Sequence, residues 1–242
     1  MKTARPKRKP ITAGELMRQL ERDPAYLARV EELEKRRQAA IQENRRVEAP
    51  IVQELRRAGY DVDSLHALMD LFEQSGEPYT EAVPILIQWL TRISNADVKG
   101  AIVDTLSVPW AKQAALALAQ EFASLPDTPA WSSCKWAIGN ALSVVADDSV
   151  LKEIVGLVRD KRHGKDREML ALALANMRNE QAVDVLIELL DDEQVAGHAV
   201  MALRKLNAKR AGPYLERFLS HPQRWVRKEA EKALKKLRSS QK

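Results

Sequence analysis

The chain has 242 residues, 39 Lys/Arg against 34 Asp/Glu, a single cysteine and few aromatics. One cysteine excludes an internal disulfide, no apolar run approaches the roughly 20 residues that span a bilayer, and the basic first residues lead into no apolar signal segment. A cytoplasmic protein without a membrane span is expected. The net charge of +5 conceals a segregation: residues 1–57 hold 15 Lys/Arg against 9 Asp/Glu and residues 204–242 hold 13 against 3, while residues 58–203 hold 11 against 22. Two basic ends flank an acidic centre.

Residues 1–10, MKTARPKRKP, are too basic and proline-rich to bury anything and read as a disordered tail. Residues 11–79 form an N-terminal helical region. Thr12 and Glu15 make a capping box, and Asp23-Pro24 restarts a helix. Tyr26, Val30, Leu33, Ala40 and Val47 then fall on a 3/4 spacing interrupted by Arg37 and Asn44, a weak coiled-coil-like stripe expected to lie along the first repeat. Pro50 is expected to kink or restart this helix, and Gly59 to cap it. Asp63 or Ser64 opens a further helix with Leu65, Leu68, Met69 and Phe72 inward, broken by Gly76 and Pro78.

From Thr80 onward one pattern recurs five times: apolar residues at i, i+3, i+4 and i+7 in two successive helices, the stripe of an amphipathic pair. First helices carry Val83/Leu86/Ile87/Leu90, Ala115/Leu118/Ala119/Phe122, Leu151/Ile154/Val155/Val158, Val183/Leu186/Ile187/Leu190 and Ala211/Tyr214/Leu215/Phe218. Second helices start their stripes at Ile102, Ile138, Leu170, Ala199 and Ala230, in steps of 36, 32, 29 and 31 residues. Such periods predict an all-α solenoid over residues 80–242, about five helix pairs, each burying its face on its neighbours. Pro109 is expected to end its helix early, and residues 125–133 to form a long loop.

Asp97, Val98, Lys99, Thr105 and Leu106 in the first repeat, and Trp225, Val226, Arg227, Ala230, Ala233 and Leu234 in the fifth, resemble the signature of HEAT repeats, in the form found in bacterial HEAT-like proteins and phycobilin lyases. The resemblance covers about two thirds of the chain. HEAT arrays serve as scaffolds, adaptors, lyases and DNA glycosylases, so it implies a fold and leaves the activity open. At the family's arginine position stand Lys99, Lys135, Arg167, Ala196 and Arg227. The family's usual arrangement implies a polar ladder there, and the alternative is a basic stripe for an anionic ligand. On the opposite side, which the resemblance makes the concave surface, the row runs from Gly100, Asp104 and Ser107 through Trp136, Asn140 and Ser143, then Glu168, Leu172 and Ala175, then Gly197, Met201 and Arg204, to Lys228, Lys232 and Lys235. Apolar anchors beside a basic end suit a protein partner with an acidic segment, bound through Trp136, Asn140, Leu172, Met201, Arg204, Lys228, Lys232 and Lys235.

Catalytic chemistry finds little support. His66, His163, His198 and His221 are scattered, no metal-ligand spacing occurs, and neither a phosphate loop nor a nucleophile elbow is present. No cofactor, metal or catalytic residue is expected. The leading expectation is a non-catalytic adaptor. The alternative is a nucleic-acid-binding protein acting through the basic ends, including a glycosylase-like enzyme using Asp104, Trp110 and Trp136, which the acidic middle opposes.

Overall fold

The computed structural model describes residues 11–239; the expected tail at residues 1–10 lies outside them. The chain divides into two compact units, Met1–Arg46 and Val47–Lys242.

In the first unit, helix α1 (Ala13–Leu20) opens on the expected capping box: the Glu15 N–H donates to Thr12 Oγ1 at 3.3 Å and the Thr12 N–H to Glu15 Oε2 at 3.0 Å. Helix α2 (Pro24–Arg57) starts where Asp23 Oδ1 accepts from the Ala25 N–H at 2.9 Å. Its first half is laced by exposed pairs such as Glu31–Lys35 and Glu32–Arg36. Each such pair contributes only a few tenths of a kcal/mol. Leu27, Val30 and Leu33 are exposed. Val30 and Leu33 belong to the coiled-coil-like stripe, whose Tyr26 is half-buried.

The second unit begins inside α2, and the helix continues through Pro50 without restarting there. Proline lacks an N–H and so forfeits one bond to the preceding turn. Burial of Ile51, Val52 and Leu55 in the following turn outweighs that loss. Gly59 at φ +98° ends the helix, with the Tyr60 N–H reaching back to the Leu55 carbonyl at 3.1 Å. Helix α3 (His66–Ser75) stops at Gly76, φ +72°, as its sequence predicts.

The array follows as α4 (Ala82–Leu90) and α5 (Ala96–Leu106), α6 (Ala115–Ser124) and α7 (Pro129–Val145), α8 (Leu151–Arg159) and α9 (Glu168–Ala173), α10 (Glu180–Glu188) and α11 (Ala196–Leu206), and α12 (Gly212–Leu215) and α13 (Arg224–Ser239). Among the described residues every element is helical. The second helices α5, α7, α9, α11 and α13 stack in chain order as one layer, and α4, α6, α8 and α10 form a looser layer beside it. The molecule is an all-α solenoid.

The stripes are buried nearly throughout, with two informative exceptions. Pro109 lies beyond the end of α5 and is exposed. Tyr214, inside α12, is exposed although Leu215 and Phe218 of the same stripe are buried. The expected loop at 125–133 is half helix: α7 starts at Pro129, where a missing N–H costs nothing. Small residues set how closely the second helices approach. A Cβ on Gly139 would lie 2.9 Å from Met169 Cβ, and one on Gly197 would lie 2.3 Å from the Trp225 ring.

Candidate functional site

The basic row turns inward. Lys99 is buried and donates through Nζ to the Leu90 carbonyl at 2.6 Å and to Glu121 of the next helix pair. Lys135, fully buried, contacts Asp127 and approaches His163 Nδ1 at 3.1 Å. Arg167, 1% exposed, donates to the carbonyls of Gly164 at 2.9 Å and Val158 at 3.0 Å, to Asp192 Oδ2 at 2.8 Å and to Gln194 Oε1 at 3.0 Å. Lys99 and Arg167 each reach a carbonyl nine residues back, at the end of the first helix of their own pair, while their carboxylate partner comes from the next pair. Burying these cations demands such partners. Desolvation pushes the Asp127 carboxyl up, yet hydrogen bonds from His163 and Lys135 outweigh it and hold it below its ordinary value. Arg167 does the same for Asp192. The surface-stripe expectation fails for Lys99, Lys135 and Arg167, whose charges are consumed inside the array. Arg227, half-buried, donates to the carbonyls of His221 at 2.6 Å and Pro222 at 2.9 Å.

The opposite row faces outward in part. Trp136 is 51% exposed; Asn140, Leu172, Met201 and Arg204 are half-buried; Lys228, Lys232 and Lys235 are exposed. Leu172, Met201 and Arg204 come together in a cleft of about 360 Å³, closed by Ser143, Lys205 and Lys236. Trp136, Asn140 and the three lysines do not line it. Arg204 Nε donates to Glu229 Oε2 at 2.8 Å and Lys232 to Glu229 Oε1 at 2.7 Å; against desolvation, these cations keep the Glu229 carboxyl below its ordinary value. Sequence reasoning missed Asn176, Lys205 and Lys236. Lys205 Nζ donates to Asn176 Oδ1 at 2.6 Å and Lys236 Nζ to the Arg204 carbonyl at 3.1 Å. The signal was available: all three occupy the i+6 position of successive second helices.

Residues 166–192, from the start of one second helix through the first helix of the next pair, match the family model of the PBS lyase HEAT-like repeat. The chain carries HEAT-like repeats. The HEAT-like array also resembles the designed armadillo repeat protein YIII(Dq)4CqI, with a TM-score of 0.44 and 21% identity over 78% of this chain and 99% of that one. No curated protein matches the chain.

Residues with chemical potential elsewhere in the HEAT-like array are held in its packing. Burial pushes the Cys134 thiol up to about 11, which leaves it unionised and unreactive at neutral pH. Tyr79 is raised to about 12 by burial, and its hydroxyl donates to the Thr105 carbonyl at 2.9 Å. Asp104 is exposed at its place in the row. Among the described residues no three His, Cys, Asp or Glu side chains gather to hold a metal ion, and no helix is long and apolar enough to cross a membrane.

Proposed function

We propose that the protein is a cytoplasmic, non-catalytic adaptor that binds a protein partner with an acidic segment along the row formed by its second helices. One observation carries this reading: a half-exposed indole at Trp136, followed along the same row by the Leu172–Met201 cleft, then by a basic end. Leu172 and Met201 offer an apolar floor, and Arg204, Lys205 and Lys236 stand at its rim. Such an arrangement suits an apolar side chain as anchor with a carboxylate beside it, lysines steering the approach. Lys228, Lys232 and Lys235 extend the basic field along α13.

The test compares capture by the full chain with capture by a Trp136→Ala/Met201→Ala variant, followed by measurement of the affinity of the identified partner. If these residues are hot spots, the double variant weakens that partner by about 2 kcal/mol or more while its melting temperature stays close to that of the wild type. An unchanged dissociation constant refutes the reading. Retention of nucleic acid, lost when Lys228, Lys232 and Lys235 are neutralised, replaces the protein partner with DNA or RNA.

A further inference from the structure

The ladder of buried cations has a gap. Lys135 meets His163 of the following pair, and Arg167 meets Asp192 of the following pair; each partner lies four residues before the ladder position of its own pair. The fourth ladder position is Ala196, and the residue four before the fifth is Gln223. At this joint the rung is absent. In its place is an open cleft of about 480 Å³ lined by Leu190, Glu193, Ala196, Phe218, His221 and Gln223. One pair earlier, the corresponding cleft is lined by Arg167 and Asp192 and measures about 230 Å³. An arginine fills the one. Only a methyl group enters the other.

We propose that the cleft at Ala196 is a binding site for an arginine side chain supplied by a partner protein, whose guanidinium takes the place of the absent rung. The acceptors follow from the register. The Gly164 carbonyl, Val158 carbonyl and Asp192 side chain that receive Arg167 correspond to the Glu193 carbonyl, the Ile187 carbonyl and the Gln223 side chain. Gln223 Oε1 already accepts from Trp225 Nε1 at 2.7 Å, and a carbonyl oxygen has a second lone pair. The Glu193 carboxylate lines the cleft without a hydrogen bond or ion pair to any described residue, so it supplies charge that the guanidinium answers. Arg217 also lines the cleft and Arg227 stands nearby, and both cations are already committed. Arg217 is held by Asp191 at 2.5 Å with its guanidinium over the Phe218 ring, and Arg227 is bound to the His221 and Pro222 carbonyls. The volume lies within the range of side-chain and small-ligand pockets. This site is independent of the row containing Trp136 and Met201, so either stands if the other fails.

The probe is N-acetyl-arginine amide, titrated into the full chain while the Trp225 indole N–H is followed by NMR, its signal assigned by its loss in Trp225→Phe. That N–H is bonded to Gln223, a wall of the cleft, and reports occupancy directly. A saturable shift is expected, with none from the isosteric N-acetyl-citrulline amide. Ala196→Arg supplies the rung internally and is expected to weaken the probe at least about tenfold, equivalent to 1.4 kcal/mol. Glu193→Gln, at an exposed position, is expected to weaken it several-fold at an unchanged melting temperature. Absence of saturation, an equal response to the citrulline compound, or wild-type affinity in Glu193→Gln overturns the proposal, whatever the folding of Ala196→Arg.

Discussion

Arg167→Met removes the buried arginine that ties the third helix pair to the fourth. The methionine has nearly the same reach and keeps the apolar contacts, so the perturbation isolates the polar part of the rung. Four acceptors lose their donor: the Gly164 and Val158 carbonyls, Asp192 and Gln194. Gln194 is exposed and rebinds water at little cost. Asp192 retains 14% of its side-chain surface, so water recovers part of its solvation. Breaking a buried pair by deleting one partner costs about 3–5 kcal/mol, and partial hydration of Asp192 puts this case at the lower end, about 3 kcal/mol. Arg227→Met is the internal control. That residue is half-buried and donates to two carbonyls in the loop before its own helix, so the loss is about 1 kcal/mol. Urea unfolding followed by far-UV circular dichroism separates the two, the slope reporting whether the array still unfolds as one unit. If Arg167→Met costs no more than Arg227→Met, the ladder is not a stabilising device. A cycle with Asp192→Asn adds a second check, since a true rung shows coupling between the two positions.

The same network predicts acid sensitivity. Asp127 and Asp192 have carboxyls lowered from 3.8, so the stability they contribute is complete above that value and is lost as pH falls through their folded values. His198 acts earlier. Desolvation lowers it from 6.5 against the pull of Glu168, so protonation opposes folding and stability falls once pH drops below about 6.5. Melting temperature against pH is expected to decline in two stages, and His198→Gln is expected to remove the upper one; a profile flat from about pH 7 to 4 contradicts the His198 assignment, and one flat below about pH 4 contradicts that of Asp127 and Asp192. Gly197→Ala tests the closeness of α11 and α13: its Cβ would meet the Trp225 ring at 2.3 Å, and the forced shift is expected to cost about 1–3 kcal/mol, relieved when Trp225 is also reduced to Ala. Equal stability of Gly197→Ala and wild type, by urea midpoint, excludes this contact as a constraint.

The apolar stripes were legible because a helix that must bury one face on its neighbours repeats that face in its sequence, and stripe positions such as Ile138, Leu142, Leu186 and Ala230 need no knowledge of what they touch. Legibility failed where local rules met tertiary context. Pro50 reads as a kink or a restart, yet the burial of Ile51, Val52 and Leu55 carries the helix through it. Pro129 reads as part of a loop, yet it sits where a helix begins. Tyr214 follows the stripe in sequence and is exposed in space, while Leu215 and Phe218 stay buried.

The basic row shows a deeper limit. Residue type and spacing identify Lys99, Lys135, Arg167 and Arg227 as a set, but whether such a set faces water or the interior depends on partners that the spacing does not place, one repeat away for Lys99 and Arg167 and within the same pair for the Asp127 that meets Lys135. Glu121, Asp127 and Asp192 have no common offset from the cations they neutralise, and only packing brings them within reach. The three-dimensional register instead relates His163, Asp192 and Gln223 as equivalent positions, and it is this equivalence that makes the alanine at 196 informative. A lone small residue in a helix says nothing by itself. Set against a buried guanidinium at the corresponding place one pair earlier, Ala196 marks a joint where the chain has given up an internal cation, admitted the Trp225 ring against Gly197, and left beside it a cleft twice as large with an unanswered carboxylate in its wall. Packing explains the ring. It does not explain the carboxylate, and a cation from outside the chain does.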